Sequence, residues 1–535
     1  MITIFLSERD FDYEIQALVN SFFPGERSQI VVRDPQKNKD GTDPDAISDL
    51  DHPEAGVMRI AIILSMTQIR IAVQAVSSPV QTGCTQVTGA EDWHKREGKK
   101  AHPYRTYYKN ELKKLLFTLL RDYPEEYLTS LLKRRIPAWG TMTGVRPTKI
   151  TMNQLLSGAT ENQVREELRE TYLCSPEKVE LGMQIATREA ALLEKVPYEQ
   201  GYSLYISVPF CPTTCLYCSF PSYPLEQFGH YTGEYLQALK KEISAMADVM
   251  KGRPLSSIYI GGGTPTAFSA EQLRELIGHV RSCYPVTQSY EFTVEAGRPD
   301  SITSDKLQAL RDLGVDRISV NPQTMQQQTL ELIGRRHTVE DTREAFALAR
   351  KLGFSNINMD LIIGLPGETV SDFQDTLRQI KALDPDSVTI HSLVIKRASR
   401  LRTVLEEQAA KGQIPLAELE RKRGEQMEQM LLLGQEFAAE QGYAPYYMYR
   451  QKNSAGHAGS TGQENIGYAR PGSECLYNIL IMEEKQTILA VGAGASTKLY
   501  HPSLGQVSRV ENVKSVIDYI ARVEEMIQRK YQLLT

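Results

Sequence analysis

Leu204-Tyr-Ile-Ser-Val-Pro-Phe-Cys-Pro-Thr-Thr-Cys-Leu-Tyr-Cys-Ser-Phe220 joins a short β-rich run to Cys211, Cys215 and Cys218, spaced CxxxCxxC. Leu204–Val208 has strand propensity, and Pro209 stops it. Three thiolates are one short of the four that normally hold a cubane iron–sulfur cluster. One iron is then left open to a ligand that is not protein. A structural zinc site would need a second cysteine pair or histidines downstream, and none follows at suitable spacing. A disulfide would leave one of the three thiols over. The spacing points to an iron–sulfur site.

Working outward, short β-rich runs recur at 204–208, 257–261, 290–295, 317–320, 357–363 and 387–391. Helical patterns fall between them at 231–250, 269–281, 303–313, 339–352 and 370–383. Alternating strands and helices predict a parallel sheet with right-handed crossovers. Six units instead of eight predict an α/β fold of incomplete barrel type, a partial (β/α)6 barrel whose site lies at the C-terminal strand ends. Residues 1–195 read as a separate α+β domain. Its runs 56–65 and 68–76 predict a hairpin. Leu112, Leu115, Leu116, Leu119 and Leu120 predict a helix within 107–133, and more helix is expected in 160–195. The Asp/Lys/Pro-rich stretch 34–54 reads as a loop, and Pro137–Lys149 as a packed turn. Residues 196–400 form the barrel core. Residues 401–535, with helical patterns at 401–411, 416–441 and 511–531, read as a mostly helical C-terminal domain covering the open side.

The 535 residues are 41% hydrophobic and 24% charged, with a net charge of −5, as in a soluble globular protein. No basic field advertises nucleic-acid binding. The N-terminus lacks a secretion signal, and no apolar stretch approaches the roughly 18 residues needed to span a bilayer. Cys84, Cys174, Cys283 and Cys475 are scattered singly and read as reduced thiols. A cytoplasmic protein without membrane or nucleic-acid partners is expected.

Most predicted strands end in something chemically unusual. The second is followed by Gly261-Gly-Gly-Thr-Pro-Thr266, whose glycines allow close backbone approach and whose N–H groups can meet a carboxylate. The third delivers Glu295, which can bind ribose hydroxyls or a cation, or can pair with Arg298. The fourth gives Arg317-Ile-Ser-Val-Asn-Pro-Gln323 and then Gly334-Arg-Arg-His337. The fifth carries Asp360 inside an apolar run, where a lone carboxylate needs a partner or a ligand.

The cysteine spacing, with an aromatic between the last two, resembles the radical S-adenosylmethionine (radical SAM) enzymes. The set as a whole resembles their oxygen-independent coproporphyrinogen III oxidase (coproporphyrinogen dehydrogenase) family, most of all its HemZ-like subgroup. That resemblance implies a [4Fe–4S] cluster on Cys211, Cys215 and Cys218. It also implies S-adenosyl-L-methionine held by Tyr205, Gly262, Gly263, Thr264, Glu295, Gln323, Arg335 and Asp360, with Tyr217 and Val394 contributing backbone atoms. The implied activity is oxidative decarboxylation of coproporphyrinogen III to protoporphyrinogen IX in heme biosynthesis by a 5′-deoxyadenosyl radical. A monomer served by an electron donor such as flavodoxin or ferredoxin is implied with it. Arg397, Arg400 and Arg450 are candidate clamps for propionates. The family's best-studied branch has a further cysteine where this chain has Phe220, and the related heme-chaperone branch lacks it too. A heme-binding chaperone, with His457 or Cys475 as candidate ligands, and a radical enzyme on another substrate are the alternatives.

Overall fold

The computed structural model describes all residues except 8, 33–56, 66, 77, 88–95, 98–99, 102, 129–131, 396–400, 404–405, 408–409, 411–415, 452–462 and 535. The stretch 34–54, Arg397, Arg400 and His457 therefore lie outside the described residues. The chain forms two compact units, one of residues 1–183, 417–424 and 450–463, the other of 184–416, 425–449 and 464–535.

In the first unit, β1 (Ile2–Leu6), β2 (Ser28–Val32), β3 (Met58–Leu64), β4 (Gln68–Ala75) and β5 (Gln81–Gln86) form one sheet in the order β2-β1-β3-β4-β5. The predicted hairpin is β3–β4, antiparallel with Met58 opposite Ala75. Helices α1 (Asp12–Phe22) and α2 (Pro103–Asp122) bury Ile15, Leu18, Phe22, Leu112, Leu116 and Leu120 in the core beside the sheet. The helix expected as far as 133 ends at Asp122, because Pro124 cannot continue it. Helices α3 (Thr148–Leu156), α4 (Glu161–Glu170) and α5 (Pro176–Leu193) follow, and the break between units falls inside α5.

The second unit holds the six predicted β/α repeats. Its strands are β6 (Tyr202–Val208), β7 (Leu255–Gly262), β8 (Glu291–Gly297), β9 (Arg317–Val320), β10 (Ile357–Ile363) and β11 (Ser387–Ser392). Neighbours in that series pair in parallel throughout. The crossovers are α6 (Thr232–Val249), α7 (Ala270–Cys283), α8 (Ser304–Asp312), α9 (Val339–Lys351) and α10 (Val370–Leu383). Ser269, Thr338 and Thr369 each close a capping box on the third residue of the helix they precede, which fixes where α7, α9 and α10 begin.

Residues 401–535 contribute α11 (Leu416–Glu440), α12 (Leu476–Glu483), α13 (Val516–Ala521) and α14 (Val523–Leu534). They also carry strands β12 (Ala444–Arg450), β13 (Glu464–Ala469), β14 (Thr487–Val491), β15 (Ser496–His501) and β16 (Gln506–Glu511), which extend the barrel sheet on both edges. The sheet has 11 strands in the order β12-β13-β11-β10-β9-β8-β7-β6-β14-β15-β16. β14 runs parallel to β6, and β13 antiparallel to β11. An open barrel leaves two rows of unpaired backbone groups, and these strands satisfy them.

One buried network ties this last segment to the barrel. Glu242 on α6 accepts hydrogen bonds from the Gly492 amide at 2.8 Å, Asn512 Nδ2 at 2.9 Å and Tyr519 Oη at 2.6 Å, and it pairs with Lys530 of α14. Both Glu242 and Lys530 are 0% exposed. Removing one member strands the other charge, so Lys530→Met should destabilise the barrel unit by about 3–5 kcal/mol. Glu242→Gln added to it should recover much of the loss; denaturant unfolding of the two variants checks both.

Candidate functional site

The chain leaves β6 at Val208, turns at Pro209 and enters the cysteine loop, which the turn after β7 grips from behind. The Gly263 amide donates to Val208 O at 2.8 Å and the Thr264 amide to Phe210 O at 2.7 Å. A Cβ at Gly263 would lie 2.6 Å from Phe210 O and 2.9 Å from Cys211 Sγ, so only glycine fits there. These two amides, expected to be available to a ligand carboxylate, are instead committed to the loop. On the far side, the Leu216 amide donates to Ile333 O at 3.0 Å, and Thr213 Oγ1 to Gly334 O at 3.1 Å.

The thiols have donors aimed at them. Thr264 Oγ1 donates to Cys211 Sγ at 3.6 Å, and Arg298 Nη1 approaches Cys215 Sγ at 3.9 Å. Arg298 is anchored by Asp300 at 2.6 Å and by Thr213 O at 2.9 Å. Arg335 is also within hydrogen-bond reach of Cys215 and Tyr217. As a free thiol Cys211 is pushed up to about 11, chiefly by burial, so it is not poised as a reactive thiolate. Among the described residues no three His, Cys, Asp or Glu side chains converge on one metal ion. A polynuclear cluster, whose ligand sulfurs bind separate irons, does not require that convergence. Cationic and hydroxyl donors around the sulfurs are what an anionic iron–sulfur centre needs, so the residues fit a cluster.

Beside the loop, a cavity of about 350 Å³ opens among the barrel strands. Phe220, two residues past Cys218, is part of its wall, which links the cavity to the cysteine loop. Tyr205, Glu295 and Asp360 also line it. Tyr205, Tyr259 and Tyr477 stack against one another, with centroids 6.1, 5.9 and 4.5 Å apart and interplanar angles of 19°, 16° and 23°. Tyr477 is set by the start of α12, where Glu291 accepts the Leu476 amide at 2.7 Å and the Tyr477 amide at 3.3 Å.

The two carboxylates of the cavity are held in opposite states. Glu295 accepts from Tyr259 Oη, and burial, helped by nearby Asp360, pushes its pKa up to about 7. Asp360 is held below the usual carboxylate value: burial alone would raise it, but His391, Asn358 and Thr389 stabilise its charge. Asn358 Nδ2 donates to Asp360 Oδ1 at 2.7 Å, and His391 Nε2 lies 3.8 Å from it. Glu295 does not pair with Arg298, which turns away to Asp300 and the cysteine loop.

The remaining expected residues lie outside the cavity lining. Gln323 sits at a φ of 70°, with its amide on Asp360 O at 3.0 Å and its carbonyl accepting from Ile362 at 2.8 Å. A non-glycine residue held left-handed costs free energy, and such strain gathers at functional sites. Arg335 Nη1 donates to Asn321 O at 2.6 Å, and Asn321 Oδ1 accepts the Asp360 amide at 3.2 Å. Gly262, Gly263 and Thr264 form the floor of the cysteine loop, and Tyr217 lies within it. Val394, just past β11, is half-buried and outside the cavity lining. Of the candidates for other roles, Arg450 donates to Met142 O at 2.7 Å in the first unit. Cys475 is fully buried against Glu291.

Sequence reading gave no site role to Tyr259, Arg317, Ser319, Asn358, Thr389, His391, Tyr447, Tyr449 and Lys498, all in the cavity wall. A signal was present. Arg317/Ser319, Asn358/Asp360, Thr389/His391 and Tyr447/Tyr449 are i, i+2 pairs on single strands, and residues two apart share a strand face. Asp360 alone was enough to mark that face as the polar one.

Residues 205–380 match the Radical SAM superfamily. The chain is 41% identical over 400 residues to the oxygen-independent coproporphyrinogen-III oxidase-like protein HemZ of Bacillus subtilis, covering 74% of this chain and 77% of that protein. It is 34% identical over 327 residues to the heme chaperone HemW of the same organism, covering 60% and 76%. Among solved structures, coproporphyrinogen III oxidase (HemN) from Escherichia coli aligns with a TM-score of 0.46 and 24% identity, over 63% of this chain and 73% of that one.

Two outcomes follow from the geometry. Replacing Cys211, Cys215 or Cys218 by Ser should abolish bound iron and sulfide after anaerobic reconstitution. The same change at Cys84, Cys174, Cys283 or Cys475 should leave both intact by elemental analysis. The second concerns Glu295, whose folded pKa near 7 lies above its ordinary 4.5. Stability from the protonated form is complete below the ordinary value and is lost as pH rises through the folded one. Glu295→Gln should therefore stabilise the barrel unit by on the order of 1–3 kcal/mol at about pH 8 and hardly at all at about pH 4, by calorimetry at the two pH values.

Proposed function

We propose that this chain, which belongs to the radical SAM superfamily and within it to the group of oxygen-independent coproporphyrinogen III oxidase-like proteins, decarboxylates two propionates of coproporphyrinogen III to give protoporphyrinogen IX. Its cofactors are a [4Fe–4S] cluster and S-adenosyl-L-methionine. The observation that carries the proposal is the shared wall: Phe220 from the cysteine loop and Glu295 and Asp360 from two strands line one cavity. A radical generated at the loop therefore has an adjoining cavity in which to meet a substrate.

Cys211, Cys215 and Cys218 hold the cluster. Tyr205, Glu295 and Asp360 bind and orient the cofactor from the cavity wall, while Gly263 and Thr264 hold the cysteine loop and Gln323 and Arg335 brace Asp360 directly and through Asn321. When bound and reduced by one electron from a donor such as flavodoxin or ferredoxin, the cofactor pair supplies a 5′-deoxyadenosyl radical. At each propionate, the hydrogen β to the carboxylate is removed. The carbon–carbon bond to the carboxylate then breaks, carbon dioxide leaves, one electron passes to an acceptor, and a vinyl group remains. The protein's contribution is positional, because hydrogen abstraction requires near-contact. The stacked rings of Tyr205, Tyr259 and Tyr477 give the reacting carbon an apolar wall. The protein acts as a monomer.

Heme binding is the second reading, favoured by the similarity to the heme chaperone and by Phe220 standing where the studied oxidases have a cysteine. Reduced, reconstituted protein given S-adenosylmethionine and coproporphyrinogen III should release carbon dioxide and form protoporphyrinogen IX, by gas analysis and chromatography. Cofactor cleavage with the porphyrinogen untouched, together with tight heme binding in a parallel titration, would replace the oxidase reading with the chaperone one.

A further inference from the structure

One wall of the cavity has polar groups that the cysteine side leaves unused. Arg317 and Ser319 enter from the first and third residues of β9, and both line the cavity. Thr293 is opposite Arg317 in the β8–β9 register, and Glu295 lies two residues further along β8. Arg317 therefore sits one side-chain row deeper than Glu295, roughly 6–7 Å along the strands and away from the cysteine loop.

Both residues are buried, Arg317 at 2% and Ser319 at 3% exposure. Arg317 donates from Nη2 to Ser387 Oγ at 3.1 Å, while its Nε and the Ser319 hydroxyl have no hydrogen-bond partner. Glu291 acts on Arg317 through the neighbouring strand, but its carboxylate is occupied by the start of α12. Glu295 and Asp360 face the cavity too; Glu295 feels the Arg317 charge, but the contacts of the two carboxylates are made by Tyr259, Asn358 and His391. A buried guanidinium with an idle donor beside an idle hydroxyl is costly unless something fills it. A carboxylate matches both donors, since guanidinium presents parallel N–H groups to its two oxygens.

We infer that Arg317 and Ser319 form a carboxylate subsite deep in the barrel. The occupant is a propionate of the substrate, an identification that rests on the function proposed above. The methionine carboxylate of the cofactor is the other source of the same chemistry, and its expected place is at the open iron, beside the cysteine loop.

The test uses the full-length, cluster-loaded protein and two air-stable probes, coproporphyrin III and its tetramethyl ester, titrated separately from S-adenosylmethionine. Wild-type protein should prefer the free acid by at least about tenfold. Arg317→Gln should weaken the acid about tenfold or more, leave the ester unchanged and keep iron content and S-adenosylmethionine affinity within about twofold. Arg317→Lys should restore part of the preference. Should Arg317→Gln fail to fold, Ser319→Ala carries the test, with a smaller loss confined to the acid. A variant that binds acid and ester as the wild type does overturns the subsite, and so does a wild-type protein that binds neither porphyrin. Loss of S-adenosylmethionine affinity alone overturns the substrate assignment and gives the subsite to the cofactor. Acid preference without carbon dioxide release would sink the oxidase reading while the subsite stood.

Discussion

One wall of the cavity depends on a carboxylate that never touches it. Glu242 is sealed between the first crossover helix and the last residues of the chain, and its oxygens collect an amide, an amide side chain, a phenol and an ammonium group. Burying such a pair gains little stability over apolar packing, but a mispaired alternative would be very costly. The network therefore works chiefly as a specification. It fixes the turn at Gly492–Ala495, which Tyr235 and Ser207 also grip, the Ala493 amide donating to Tyr235 Oη at 2.9 Å and Ser207 Oγ to Ala493 O at 2.9 Å. Gly494 and Ala495 of that turn are part of the cavity wall. Gly492 has a φ of +96°, and a Cβ there would stand 2.6 Å from Ser207 O, so the turn closes on the end of β6 only with glycine.

The barrel interior balances that rigidity with chemistry that destabilises it. Where an ordinary barrel fills its centre with branched aliphatic side chains, this one directs tyrosines, two carboxylates, a guanidinium, a serine and an asparagine inward. A glutamate kept partly protonated near neutral pH and a glutamine held at positive φ are both states that a stability-optimised sequence would avoid. The surrounding apolar shell, from Leu204 and Ile206 through Ile258, Ile260 and Val294 to Ile390, offsets the cost by burying its side chains completely or nearly so.

The alternation of β and α patterns was enough to find every strand and crossover helix of the barrel within a few residues, because each apolar strand is bounded by a Gly, Pro or capping signal. The cysteine loop, Glu295 and Asp360 were legible for the same reason: each interrupts an apolar run with chemistry that cannot be packing. What was not legible depends on pairing between distant segments. Nothing local in Thr487-Ile-Leu-Ala-Val491 says that it will lie beside Tyr202–Val208, and the glycines that follow it mask its strand character. The deeper residues of the cavity were hidden differently. Arg317 and His391 sit on strands whose direction of facing becomes certain only once the neighbours are placed.

The pairing of β14 with β6 also has a temporal meaning. Tyr202 lies opposite Thr487, so the strand that leads into the cysteine loop gains one of its two neighbours only after the distant segment Thr487–Val491 has been made. Contacts of such sequence separation form late and slowly, because closing the loop costs entropy before the contact returns anything. Until that segment exists, β6 has only β7 beside it, and the loop that carries the three thiols hangs from a sheet with one open edge.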